Sequence, residues 1–193
     1  MDIVAAVVGG FLAASTGWFL QTRLEASRLS RAKKLLISGM SDDLRNSVEL
    51  YDRIAEDWEK SRTIWFNLVD ELFESRHVYA NNKDWITVID DEELRKEIFQ
   101  YYRKSAQHLL QLRNAQQRKY DIQNRYNLLV QEYRMRNPGI ELEDARATVA
   151  PTMATESEEL NYLDKQIPDL VSGLSRYKIN AESVLEKLKF IKL

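Results

Sequence analysis

The sequence offers two imidazoles, His77 and His108, about thirty residues apart, and no cysteine. Neither histidine has a second histidine or a glutamate at the helical spacing that lets two side chains reach one metal ion, so no metal site is expected. Without cysteine there is no disulfide, no thiolate nucleophile and no sulfur-ligated metal. No glycine-rich loop follows a strand pattern, which removes the usual phosphate and dinucleotide cradles, and the nucleophile elbow GxSxG is absent. Carboxylates cluster at Asp42-Asp43 and at Asp90–Glu93. Both clusters are read as helix starts, where the N-terminal end of the dipole favours acids. His77 reads as a polar residue at a helix end and His108 as a partly solvated helix position. The expectation is a chain that is not an enzyme and needs no cofactor.

The pattern that could do chemistry is one of charge. Net charge is only −2, yet residues 40–93 contain 6 basic and 15 acidic side chains while residues 94–136 contain 10 basic and 3 acidic ones. Tyrosines interleave with the basic set. Two readings stand open. In one, the acidic half packs against the basic stretch and the charges screen each other. In the other, the segment RNAQQRKYDIQNRY presents Arg113, Arg118, Lys119, Tyr120, Arg125 and Tyr126 as a face for a polyanion. Cations would neutralise phosphates, tyrosines would stack on bases, and Gln and Asn would bond base edges. The ligand on that reading is an oligonucleotide or a nucleotide; a protein partner is the other candidate. Gln116–Tyr120 interrupts the apolar stripe, which favours a site over core there.

The residues that would position such a face begin with an uncharged run, Ile3–Leu20 (IVAAVVGGFLAASTGWFL). At about 1.5 Å per residue, 18 residues of helix reach roughly 27 Å, close to the hydrocarbon thickness of a bilayer. The charge preceding the run is Asp2, which disfavours a signal peptide. Arg23, Arg28, Arg31, Lys33 and Lys34 follow it against the acid Glu25. Positive charge stays inside, so the N-terminus is expected outside and the remainder in the cytoplasm. The same collar is placed to hold anionic lipid headgroups. Within the run, Ala6, Gly10, Ala13 and Gly17 share one helical face, with Ala14 beside it. Small residues let helix backbones approach in lipid, so this seam predicts self-association into a homo-oligomer.

Few prolines and glycines, 3 and 6, favour long helices throughout. The expected fold is all-α: a transmembrane helix (1–22), a basic juxtamembrane helix (23–39) and a cytoplasmic bundle of long antiparallel helices (40–193). The first helix runs out of the membrane with Leu44, Val48, Tyr51, Ala55 and Trp58 on its apolar side and Gly39 as a kink. A second helix spans about Thr63–Tyr79. Trp85–Ile89 reads as a loop packed on the core. Asp90 and Glu93 form a capping box that opens the longest soluble helix, which Asn137-Pro138-Gly139 ends near Arg136. Thr155 and Glu158 repeat the box and open a last helix. Its apolar residues, from Leu160 through Leu174 to Ile191, recur every three or four positions, the period of helices packed side by side. Pro168 should bend it.

This layout resembles the small single-pass effectors of bacterial anti-phage defence, such as the Hailong-type channel effector. The resemblance rests on an outward-facing N-terminus, a small-residue seam, a basic collar and a helical domain with a basic–aromatic face. It implies a homo-oligomer in the bacterial inner membrane whose N-terminal helices line a pore gated through the cytoplasmic domain. The alternative is a membrane-tethered scaffold that docks a protein partner and conducts nothing.

Overall fold

The computed structural model describes the backbone of residues 2–191 and the side chains of Trp18 and of residues 21–191. It is all-helical among the described residues. The elements are α1 (Asp2–Ser61), α2 (Phe66–Glu74), α3 (His77–Asn82), a 3-10 turn (Lys83–Val88), α4 (Glu92–Arg136), α5 (Leu142–Val149), a second 3-10 turn (Ala150–Met153) and α6 (Ala154–Lys189).

Three long helices build the bundle. Contacts between α4 and α6, such as Lys187 with Glu97 and Arg125 with Glu156, show them antiparallel. Lys33–Asp90 and the Gln116 bond to the Ile64 carbonyl show α4 running parallel to α1 and the chain just beyond it. The apolar positions of α6 land where the periodicity puts them, with Leu163, Ile167, Leu170, Leu174, Ala181, Val184 and Leu188 all buried. They join two core clusters. One gathers Met40, Leu44, Ile98 and Tyr102, the other Ile54, Leu72, Leu112 and Leu174. A smaller cluster of Val130, Ala145 and Val149 folds α5 onto the end of α4. Burial of large aliphatic side chains at about 1.5–3 kcal/mol each is what holds helices of this length together.

Several boundaries differ from the sequence expectation. Asp42-Asp43 starts no helix: it lies within α1, which runs unbroken for 60 residues. Gly39 does not end or divide that helix. It admits the Val78 side chain, whose Cγ1 would sit 2.9 Å from an added Cβ. Ala55, assigned to the apolar side, is exposed. The helix expected over Thr63–Tyr79 is two, α2 and α3, parted where Arg76 turns inward and is buried. The cap of α4 is Asp91, which accepts from the Leu94 N–H at 3.0 Å, and not Asp90, which pairs with Lys33. The acidic pair at 90 and 91 offers either register, and the Lys33 ammonium claims the first. Thr155 caps nothing, because Ala150–Met153 is already wound and α6 continues from it at Ala154 with no side-chain cap. Trp85–Ile89 lies in and after the first 3-10 turn, and it does pack on the core through Ile86 and Ile89.

No helix among the described residues is long and apolar enough to cross a membrane. The expected transmembrane run Ile3–Leu20 lies, except for Trp18, outside the described side chains. What is described is its continuation. Trp18 and every residue from Gln21 to Arg31 are exposed, and burial in the bundle begins at Leu36.

Candidate functional site

The expected small-residue seam, Ala6, Gly10, Ala13, Ala14 and Gly17, lies outside the described side chains. The basic collar is described. Arg23, Arg28 and Arg31 lie on the projecting part of α1, and Lys34 is exposed just beyond. Lys33 turns back to the bundle, with its ammonium 2.7 Å from Asp90. That contact holds the Asp90 carboxyl below its ordinary value. Leu24, Leu29 and Leu35 are also exposed on this stretch, at 59%, 53% and 67%. This stretch carries both leucines and arginines, exposed among the described residues, and is a stalk with two unlike faces to satisfy.

The basic–aromatic segment of α4 is brought onto the bundle surface, and each of its cations meets a carboxylate. Arg113 lies 3.1 Å from Asp70 of α2. Arg118 forks onto both oxygens of Glu159 at 2.7 Å, Lys119 reaches Asp164 at 2.6 Å, and Arg125 reaches Glu156 at 2.8 Å. The Arg118–Glu159 contact pulls the carboxyl down and the guanidinium up. Tyr120 sets its ring edge-on to Phe66, and the Tyr126 hydroxyl donates to the Arg146 carbonyl. Gln116, read as part of an interruption in the core, is buried and donates to the Ile64 carbonyl at 3.1 Å. The basic stretch is thus screened from two sides: Arg118, Lys119 and Arg125 by acids of α6, and Arg113 and Lys96 by Asp70, Glu92 and Glu93 of the acidic block 40–93.

A second polar centre had no sequence signal. Asp43 of α1 accepts from the Val78 and Tyr79 N–H groups at 2.8 and 3.2 Å, closing the start of α3. Burial pushes the Asp43 carboxyl up, and the two N–H bonds offset only part of that. Ser47 of α1 touches Ser75 at 3.0 Å. The buried Arg76 guanidinium donates to the Tyr102 carbonyl and, at 3.0 Å, to Ser105 Oγ on α4. It lies 5.4 Å from the Tyr102 ring centre, and Tyr79 stacks on that ring at 3.9 Å. The Tyr51 and Tyr101 hydroxyls meet at 3.4 Å. Burial drives Tyr51, Tyr101 and Tyr102 upward, so all three stay protonated, and the Tyr102 hydroxyl is buried without a hydrogen-bond partner among the described residues. The cluster fastens α1 to α3 and α4 through groups that are costly to leave unpaired. Only the burial of Arg76 could have announced it, and a lone arginine in a polar segment gives no such hint.

Neither histidine stands free. His77 touches Asn81 at 3.1 Å, and His108 Nε2 donates to the Leu170 carbonyl at 2.7 Å. Among the described residues no three histidine, aspartate or glutamate side chains gather as they would around a metal ion. The chain matches no known protein family, no curated protein and no solved structure.

Proposed function

We propose that the protein is a homo-oligomeric, single-pass membrane effector, with an outward N-terminus and a cytoplasmic bundle that gates a pore lined by the N-terminal helices. The observation that carries this reading is continuity. The uncharged run Ile3–Leu20 enters α1, and the same helix crosses the basic collar, stands clear of the bundle to Arg31, then becomes a core element from Leu36 to Ile54. A motion of the bundle is therefore delivered to the run along about 1.5 Å of rigid helix per residue, with no linker to absorb it. The collar suits the cytoplasmic headgroup layer, where each basic residue contributes about 1 kcal/mol. A role in anti-phage defence, in the manner of the small single-pass effectors the layout resembles, belongs to the same proposal. So does gating by a nucleotide or DNA oligomer.

One helix cannot enclose a conduit, so assembly is required. The mass of the detergent-solubilised chain should be that of several copies, and Gly10→Leu or Gly17→Leu should lower it by blocking close approach at the seam. A monomer in every case contradicts the proposal. Exposed Trp65, Trp85 and Phe190, at 59%, 52% and 82%, favour a second reading in which the tethered bundle docks a protein and conducts nothing. Ion flux from liposomes containing the protein separates the two.

A further inference from the structure

The α4–α6 seam is a ladder of complementary rungs. Glu97 faces Lys187 at 2.5 Å, Arg118 faces Glu159, Lys119 faces Asp164, and Arg125 faces Glu156. His108 bonding to the Leu170 carbonyl fixes the register between them. One rung breaks the pattern. Between the Glu97–Lys187 and His108–Leu170 contacts, the antiparallel register sets Lys104 across from Arg176. Both line one cleft of about 390 Å³, with Gln100, Asn180 and Ser183 around them and Tyr101 at its base. Neither cation has a carboxylate partner among the described residues. The one acid lining the cleft, Glu97, is already held by Lys187 through both oxygens.

Lys104 and Arg176 are both exposed, so their mutual repulsion is weak and screened, but both cations line this cleft without a carboxylate between them. An anion between them converts the repulsion into two charge-assisted contacts. The volume is in the range of sites for small organic ligands, and the amides and hydroxyl supply donors and acceptors beyond the charged end. We propose that this cleft binds a small ligand carrying two or more phosphate groups, a nucleoside polyphosphate being the class that uses both the cations and the neutral polar rim. Occupancy has a route to α1. Tyr101 lies under the cleft, and its hydroxyl meets that of Tyr51 on α1. The proposal gives a site to the nucleotide gating proposed above, but its test does not rest on the membrane reading, because binding is scored in detergent solution whatever the assembly state.

The test is calorimetric titration of the full chain in detergent with inorganic triphosphate and, separately, with magnesium-free ATP. Both should bind at one shared site, weaken as salt rises, and lose affinity by at least about tenfold on Lys104→Gln or Arg176→Gln. Tighter binding of ATP than of triphosphate assigns a role to the neutral rim; equal binding assigns the site to phosphate alone, and either supports a polyphosphate cleft. Lys104→Glu restores a complementary rung with Arg176. It should therefore raise the thermal midpoint of the ligand-free protein while abolishing binding, which separates loss of the site from loss of the fold. Failure of both anions to bind, or binding to the Lys104→Glu protein as tight as to the natural chain, overturns the proposal.

Discussion

Replacing Gly173 by alanine should destabilise the bundle, and the cause can be isolated. Gly173 lies on α6 where the His108 ring of α4 crosses it. An added Cβ would stand 2.8 Å from Cε1 and 3.1 Å from Nε2 of that ring. The ring cannot give way freely, because Nε2 donates to the Leu170 carbonyl at 2.7 Å and the ring rests against Tyr177 at 4.9 Å. Overpacking a site of this kind costs about 1–3 kcal/mol, and displacing the ring forfeits a hydrogen bond of about 0.5–1.5 kcal/mol. Alanine regains about 1 kcal/mol over glycine in a helix interior. The net expectation is a loss of about 1–3 kcal/mol. For a chain of this size that is about 2–12 °C in the thermal midpoint. The assay is thermal unfolding of the full chain in detergent, run as a double-mutant cycle with His108→Ala. Without the ring, the three atoms nearest the added methyl are gone, so Gly173→Ala should become stabilising, by up to about 1 kcal/mol. The same sign in both backgrounds would refute the claim that His108 sets the distance between α4 and α6.

Other expectations concern the polar core and the caps. The Asp43 carboxyl is raised above 3.8 in the fold, so its contribution is fully present below that value and is lost as pH rises through the folded one. Asp43→Asn keeps an oxygen for the Val78 and Tyr79 N–H groups and does not titrate. Its thermal midpoint should therefore gain on the natural chain as pH goes from about 3.5 to 7, and a gap that stays constant would contradict the burial argument. Asp91→Ala should cost about 0.5–2 kcal/mol in chemical denaturation by uncapping α4. Asp90→Ala should cost less, since it removes an exposed contact with Lys33; the reverse order would return the cap to Asp90.

Much of the fold was legible because the long helices carry their own period. Leu160 to Ile191 and Leu94 to Tyr133 gave α6 and α4, two of the three long helices of the bundle, and Asn137-Pro138-Gly139 ended α4 where expected, with Gly139 at φ 97°. What failed depended on partners distant in sequence. Asp90 and Asp91 are equal candidates for the cap until Lys33 is known to reach one of them. The break between α2 and α3 follows from the burial of Arg76 against Tyr102, which no local pattern signals. The charge blocks were real, and their pairing held in part, as Arg113 meets Asp70 and Lys96 meets Glu92 and Glu93. Arg118, Lys119 and Arg125 look toward the acids of α6, because the antiparallel register of two apolar stripes puts Glu159, Asp164 and Glu156 there. That register, read off the same stripes, would also have exposed Lys104 and Arg176 as a mismatched rung.

The central claim is that the first twenty or so residues are embedded in lipid and carry the bundle on the cytoplasmic side. Its most direct test is to express the full chain and a chain beginning at Gln21, wash the membranes with alkaline carbonate, and ask where each protein is found. The account predicts the full chain in the washed membrane pellet and the shortened chain in the supernatant. Finding the full chain in the supernatant with the shortened one would contradict it.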